Sequence, residues 1–151
     1  MKKKFENLEN HFSKLDLWSA GGVVIRKNDY QTEVLICERS LENLIALPKG
    51  KPNEGEDEAE TAIREVREET GINSIIKTKI KDIFYSFESS DGIMNKKVSF
   101  FLMEKKDGEI SNHDDEFDKV YWEKWDLALK KLSHQGEKDV LEKAIKLAKD
   151  F

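Results

Sequence analysis

The chain contains 151 residues, of which 26 are basic and 31 are acidic, so its formal net charge is −5. This length is enough for one domain with its own hydrophobic core, and the acidic balance argues against general binding to nucleic acids or anionic membranes. No apolar stretch approaches the roughly 18 residues that a membrane-spanning helix needs, and the N-terminus lacks an apolar signal-peptide core. These features predict a cytoplasmic protein. The single cysteine, Cys37, excludes an intramolecular disulfide and is typical of a small buried side chain.

The N-terminal segment has apolar residues at intervals of three or four, at Phe5, Leu8, Phe12 and Leu15. This spacing predicts an amphipathic helix within an extension that covers residues 1–17. Such a helix could cover part of the core, or it could pack against a second copy of the chain in a homodimer. Residues 18–151 are then expected to form the single domain.

A β-hairpin is predicted next in the chain. Trp18–Arg26 has the composition of a strand, residues 28–30 suit a turn, and Glu33–Arg39 returns as a second strand. The glycine pair in the first strand predicts a close approach of backbone or ligand. A loop shaped by Pro52, Asn53 and Gly55 then leads into a helix, which has acidic residues at its start and Gly71 at its end.

Strand patterns dominate the second half of the chain. They cover Ile75–Phe87, Lys97–Met103 and Lys119–Glu123, with turns predicted at residues 89–92 and 106–108. Lys97–Met103 is rich in aromatic and β-preferring residues, so we expect it at the centre of the sheet.

Two helices are predicted after the last strand. Asp126 has the chemistry of an N-cap for a helix over residues 127–132, and Gly136 is expected to separate this helix from the last one. The last helix is amphipathic, with its apolar residues expected to face inward: Val140, Leu141, Ala144, Ile145 and Ala148. Strands that are interrupted by one helix and followed by others predict a layered α/β domain.

Three carboxylates share one face of the helix that precedes Gly71. Glu65, Glu68 and Glu69 stand at i, i+3 and i+4, and the apolar stripe lies beside them. Like charges at these spacings repel, so we expect a positive charge to compensate them. A hard divalent cation such as Mg²⁺ prefers oxygen ligands of this kind. Arg64 follows Glu56 and Glu60 at intervals of four and is expected to orient the glutamates rather than contact a substrate.

The stretch from Gly50 to Ile72 resembles the signature box of the Nudix hydrolases. The pattern is a glycine, five residues, a glutamate, seven residues and REVREETGI, which is long and specific. The resemblance implies the Nudix fold, an α/β fold with a mixed β-sheet sandwiched between α-helices. It also implies a pyrophosphohydrolase that uses Mg²⁺, or Mn²⁺, to split a diphosphate linkage in a nucleotide. The matching positions are Gly50, Glu56, Arg64, Glu65, Val66, Glu68, Glu69, Gly71 and Ile72.

The resemblance also implies a set of metal ligands. Glu65, Glu68 and Glu69 match the family's ligands, and the carbonyl of Gly50 often joins them. Family members often place a further glutamate in the loop before the late strand, where it reaches the metal cluster. Glu116 matches that position.

The general base is not fixed across the family, so two candidates remain. We favour Glu65 and place Glu116 second, while Asp114 and Asp115 compete with Glu116 for its role in the acidic loop. Arg64 completes the predicted catalytic group.

Sequences outside the box resemble the diadenosine polyphosphate hydrolases of the family, most clearly in SAGGVV, LPKG, KKVSFFLM and GEKDVLEKA. These enzymes use water to split a dinucleoside polyphosphate into two nucleotides, such as ATP and AMP. The resemblance therefore implies diadenosine tetraphosphate as the small-molecule substrate. Candidate phosphate contacts are Lys49, Lys97, Arg39 and Lys96, and candidate stacking partners for adenine are Tyr85, Phe87 and Tyr121.

Three alternative functions remain. A house-cleaning nucleoside triphosphate pyrophosphohydrolase would use the same site on a shorter phosphate chain. An RNA 5′-end pyrophosphohydrolase would carry the same box, although the net acidity and the lack of a basic run disfavour it. A non-catalytic module that senses a nucleotide is expected to have a damaged box, whereas this box is intact.

Overall fold

A mixed β-sheet forms the centre of the computed structural model, which describes residues 3–5 and 17–151. Helices cover both of its faces. The strands are β1 (Lys3–Phe5), β2 (Leu17–Asn28), β3 (Gln31–Arg39), β4 (Leu44–Ala46), β5 (Lys49–Gly50), β6 (Ile72–Ser89), β7 (Gly92–Gly108) and β8 (Lys119–Lys124). The helices are α1 (Glu58–Thr70), α2 (Trp125–Lys131) and α3 (Gln135–Ala148).

The strand order is β1-β6-β7-β2-β3-β4, with β5 paired to β2 and β8 paired to β3. β2 and β7 run parallel, in register from Leu17 opposite Lys96 to Ile25 opposite Glu104, and the other pairs are antiparallel. The predicted central position of Lys97–Met103 is confirmed, because β7 lies between β6 and β2. The mixed sheet of the predicted α/β fold is confirmed as well.

The alternation of side chains along β2 builds two cores. Val23 points to the face that α2 and α3 cover, where it joins Phe100 and Leu141. Val24 points to the opposite face and packs with Val66 of α1. The sheet is therefore sandwiched between α1 on one side and the C-terminal helices on the other.

The predicted hairpin of β2 and β3 is confirmed, with a shorter turn. Asn28 still pairs with Gln31, so only Asp29 and Tyr30 form the turn, with φ angles of 47° and 70°. Left-handed backbone at both turn residues matches the natural twist of two antiparallel strands.

The turn predicted at residues 106–108 is wrong, because these residues extend β7. Gly108 pairs with Ile72, and Asp107 pairs with Asn73 at the start of β6. Register shifts along the β6–β7 pair allow it to bend while remaining paired. Gly108 has a φ of 101°, which suits glycine at the end of a strand that turns away.

Helix α1 has the ends that its sequence predicts. The Asp57 side chain accepts a hydrogen bond from Glu60 N, and the Glu60 side chain accepts one from Asp57 N, which forms a capping box. Gly71 ends the helix in the left-handed region, at a φ of 79°.

Two predictions for the C-terminal helices are wrong. Trp125 opens α2 directly after β8, so Lys124 takes the N-cap position and Asp126 lies in the first turn. Gly136 does not separate the helices, because α3 already begins at Gln135. The inward face of α3 is confirmed: Val140, Leu141, Ala144 and Ala148 are buried, and Ile145 packs partly buried against them.

The amphipathic helix predicted from Phe5 to Leu15 lies outside the described residues, except for Phe5 at the end of β1. β1 pairs with β6 in an antiparallel register, with Lys3 opposite Phe87. Within the described part of the chain, every helix is too short or too polar to cross a bilayer.

Candidate active site

Two glycines allow the loop before α1 to lie between β2 and the helix. Gly21 pairs with Lys49 of β5, and a Cβ atom at Gly21 would overlap the Pro48 carbonyl. At Gly50, a Cβ atom would overlap the carboxylate of Glu65. The predicted close approach at the β2 glycines is therefore an approach of backbone at Gly21 and of the Met103 side chain at Gly22, and Gly50 brings the box loop against the first predicted metal ligand.

Arg64 is the centre of the charge network on α1. Its Nε donates to Glu56 at 2.7 Å, and its Nη1 donates to Glu65 at 2.7 Å and to Glu68 at 2.8 Å. Hydrogen bonds from Arg64 are the main reason that the pKa of Glu56 falls to about 2. The orienting contacts expected of Arg64 are present, whereas Glu60 belongs to the capping box instead.

Glu69 is the most deeply buried carboxyl group of the cluster. Its side chain is 1% exposed, and its Oε2 atom has no hydrogen-bond partner among the residues that the structure describes. Burial is the largest cause that raises its pKa, to about 10, followed by a hydrogen bond with Glu65 and the charge of Glu116. A carboxyl group held in this way is costly unless a ligand compensates it.

The chemistry of this cluster fits a hard divalent cation. The donors are carboxylate oxygens, with the backbone of Gly50 against Glu65, and oxygen ligands of this kind are ones that Mg²⁺ and Mn²⁺ accept. The unpartnered oxygen of Glu69 provides a buried acceptor. As they stand, no three acidic, cysteine or histidine side chains of the described residues are placed to hold an ion. In this structure Arg64, and not a metal ion, binds the Oε1 atoms of Glu65 and Glu68. The predicted ligand set therefore remains a prediction.

The acidic loop before β8 lies against the C-terminal part of α1. Asp114 N donates to the carbonyl of Glu68 at 2.9 Å, and Glu116 N donates to the Asp114 side chain at 3.0 Å. Burial first, and then the charges of Asp114 and Glu65, raise the pKa of Glu116, although Arg39 opposes them. The fold therefore brings Glu116 into the electrostatic range of the box, although Asp114, Asp115 and Glu116 are all exposed to solvent.

Lys49 pairs with a glutamate that the sequence interpretation missed. Glu137 of α3 is 2% exposed and accepts hydrogen bonds from Lys49 Nζ at 3.0 Å and from Leu47 N at 2.7 Å. Burial lowers the pKa of Lys49, but Glu137 outweighs this effect and raises it, so the ammonium stays charged. A signal was present in the sequence, because Glu137 lies on the inward face of α3, three residues before Val140.

The other predicted phosphate contacts already have protein partners or lie further along the sheet. Lys97 Nζ binds Glu58 at 2.9 Å, at the first turn of α1. Arg39 Nε donates to the Glu116 carbonyl at 2.8 Å. Lys96 is half-buried on β7, opposite Leu17. A substrate role for these side chains remains a prediction.

The aromatic candidates face the core of α2 and α3. Tyr85 is 5% exposed, and its ring centroid lies 6.1 Å from that of Phe87. Burial is the main cause that raises the pKa of Tyr85, and Lys49 and Glu137 act on it electrostatically. Tyr121 donates its hydroxyl to Glu38 at 2.8 Å. Tyr85 therefore lies within electrostatic range of the Lys49–Glu137 pair, and stacking on adenine stays a prediction for all three rings.

Comparisons with known proteins agree with this architecture. The crystal structure of a C. elegans Ap4A hydrolase in a binary complex has a TM-score of 0.72 and 25% identity, and the match covers 89% of this chain and 99% of that one. A candidate mutator protein of Mycobacterium tuberculosis, MutT4, is 39% identical over 110 residues, which are 69% of this chain and 44% of that protein. An 8-oxo-(d)GTP phosphatase of Mycolicibacterium smegmatis is 30% identical over 114 residues, which are 76% of this chain and 34% of that protein.

The chain thus spans less than half the length of these two curated relatives. The model of the NUDIX domain matches residues 17–144, which include all strands of the sheet from β2 to β8, the box helix and most of α3. With the intact box, the confirmed mixed sheet and this match, the chain belongs to the NUDIX family.

Proposed function

We propose that this chain is a pyrophosphohydrolase that splits a phosphoric anhydride bond in a nucleoside polyphosphate. The observation that carries the proposal is the buried carboxyl of Glu69, whose Oε2 atom lacks a partner among the described residues and lies within the intact box. A charged lysine, Lys49, acts on the same carboxyl electrostatically. Buried acids beside a fixed cation are typical of a catalytic site for a charged substrate.

A divalent cation held by Glu65, Glu68, Glu69 and Gly50 would supply positive charge to the anhydride oxygens and would acidify a water molecule. Arg64 keeps the carboxylates of Glu65 and Glu68 in place through its Nη1 atom.

Glu65 and Glu116 are the two candidates to accept a proton from the attacking water. Glu65 lies against Gly50 in the box. Burial and the charge of Asp114 raise the pKa of Glu116, which makes its carboxylate a stronger base. We keep Glu65 as the first candidate because it belongs to the box itself.

For the substrate we propose diadenosine tetraphosphate, with ATP and AMP as products. The Ap4A hydrolase structure supports this proposal, because the match covers 99% of that chain. The flanking sequences LPKG and KKVSFFLM support it independently.

Oxidised guanine nucleoside triphosphates are the second candidate substrates. The 8-oxo-(d)GTP phosphatase relative favours them, at 30% identity over 76% of this chain. The same site would then act on a shorter phosphate chain.

A substrate panel tests the proposal. The purified protein is incubated with Mg²⁺ and either diadenosine tetraphosphate, 8-oxo-dGTP, unmodified dNTPs or triphosphorylated RNA, and the products are resolved by chromatography. We expect ATP and AMP from the first substrate, and no product after the addition of EDTA. Faster turnover of 8-oxo-dGTP would transfer the assignment to the second candidate, and nucleotide binding without any product would contradict the enzymatic proposal.

Variants of the box test the residues. Glu68→Gln and Glu69→Gln should each lower turnover at least about tenfold while the fold is retained, as is common when metal coordination is impaired. Glu60→Gln is the control on the same helix, because glutamine also serves in a capping box. Full activity in both ligand variants would remove the predicted ligand roles.

A further inference from the structure

Arg39 ends β3 and binds the acidic loop of residues 113–118. Its Nε donates to the backbone carbonyl of Glu116 at 2.8 Å, and its Nη2 donates to Oε1 of the same residue at 3.2 Å. The guanidinium carbon lies 4.8 Å from the ring centroid of Phe117, which is buried. One side chain therefore fixes both the backbone and the carboxylate of Glu116.

The rest of the loop is attached on either side of Arg39. Asp114 N binds the Glu68 carbonyl of α1 at 2.9 Å. Ser40, the residue after Arg39, donates its backbone N to Asp118 at 2.8 Å and its hydroxyl to the same carboxylate at 2.6 Å. Arg39 holds the middle of the loop, between these two attachments.

These contacts use the Nε and Nη2 atoms of the guanidinium group. Arg39 also lies 3.6 Å from Glu42, so two carboxylates and an aromatic face surround it. A substrate phosphate that bound through Nε and Nη2 would have to displace Glu116 from this two-point contact. The contacts favour a role toward the protein rather than toward the ligand.

We infer that Arg39 is a positioning residue that holds Glu116 toward the box, and that it does not bind substrate directly. This inference rests on the proposed function, since Glu116 matters to catalysis only if the site hydrolyses an anhydride. It replaces the substrate-contact role that the sequence predicted for Arg39.

The chain offers a matched control. Arg26 donates its Nε to Glu33 at 2.8 Å, and its guanidinium carbon lies 4.3 Å from the ring centroid of Trp122. Like Arg39, it pairs with a carboxylate and lies over an aromatic ring, but near the β2–β3 hairpin and away from the acidic loop. Arg26→Gln therefore removes an equivalent arginine without touching Glu116.

Hydrogen exchange in the metal-free protein tests the positioning step without any substrate. In EDTA, Arg39→Gln should speed exchange of the amides in residues 113–118 by about tenfold or more, whereas Arg26→Gln should leave them at the wild-type rate. Unchanged exchange in Arg39→Gln would overturn the inference. Arg39→Lys serves if Arg39→Gln does not fold, because lysine keeps the charge but cannot reproduce the two-point contact.

Steady-state kinetics with the substrate identified by the panel test whether the positioning of Glu116 by Arg39 affects turnover. Arg39→Gln should lower kcat by about ten- to a hundredfold and leave KM within about twofold, and adding Glu116→Gln should cause little further loss. A raised KM with unchanged kcat would instead assign Arg39 to the substrate. If no panel substrate is turned over, the proposed function fails, while the exchange experiment still decides the positioning role.

Discussion

The buried carboxyl group of Glu69 affects the stability of the folded chain. Its carboxyl is buried, and one oxygen has no hydrogen-bond partner among the described residues. Its pKa is raised to about 10, whereas an unfolded glutamate titrates near about 4.3. Because the folded pKa is the higher one, this group favours the folded state fully only below about pH 4.3, and that advantage is lost as pH rises toward 10.

Glu69→Gln should therefore stabilise the metal-free protein. In EDTA near neutral pH, Tm should rise by about 2 °C or more, and the difference from wild type should grow between about pH 5 and pH 9. Thermal unfolding followed by circular dichroism measures both effects. Mg²⁺ should raise the Tm of wild type but not that of the variant, because only a folded site with all its ligands gains binding energy. A lower Tm for the variant in EDTA would show that Glu69 has a partner in solution.

Glu137→Gln is the matched change at a buried glutamate whose contacts are complete. It should act in the opposite direction and destabilise the protein by up to about 3 kcal/mol, because it leaves the Lys49 ammonium without its counter-charge. Chemical denaturation measures this difference. A second change, Lys49→Met, should recover part of the loss, and Glu142→Gln at the surface pair with Lys146 should cost less than about 1 kcal/mol. Equal costs for the buried and surface pairs would contradict the structural role of Glu137.

Helix α1 is attached to the sheet at its first turn. Glu58 accepts from Lys97 at 2.9 Å and from Lys79 at 3.1 Å, so it links the helix to β7 and β6. Burial alone would raise the pKa of Glu58, but hydrogen bonds from Lys97, Ser99 and Lys79 outweigh it and lower the pKa to about 2. This attachment fixes the end of the helix that lies furthest from Glu69.

The lowered pKa of Glu58 gives the attachment an acid limit. A depressed folded pKa contributes stability that is present above about pH 4.3 and is lost as pH falls toward 2. Glu58→Gln should therefore have a lower Tm than wild type near neutral pH, and the two values should converge near about pH 2. Glu60→Gln keeps the capping box and should show no such convergence. A constant gap between wild type and Glu58→Gln at every pH would mean that lost packing, and not charge, explains the difference.

The confirmed predictions concern features whose residues are close together in the sequence. The β2–β3 hairpin, the capping of α1 and the stop at Gly71 each depend on residues only a few positions apart. The side-chain pairs of the site, in contrast, join residues that are far apart in the sequence. Lys49 and Glu137 are 88 residues apart, and Arg39 and Glu116 are 77 apart. The packing of α3 and the pairing of β3 with β8 bring them together, so a single sequence cannot indicate these pairs by spacing.

The long span between Lys49 and Glu137 has a consequence for synthesis on the ribosome. The acidic box is translated in the first half of the chain, but the residue that neutralises Lys49 arrives with α3. The parallel partner of β2, which is β7, also emerges well after the box. A nascent chain therefore carries every predicted metal ligand of the box before it can close the site around them. The box is therefore expected to reach its final packing only after α3 has joined the sheet.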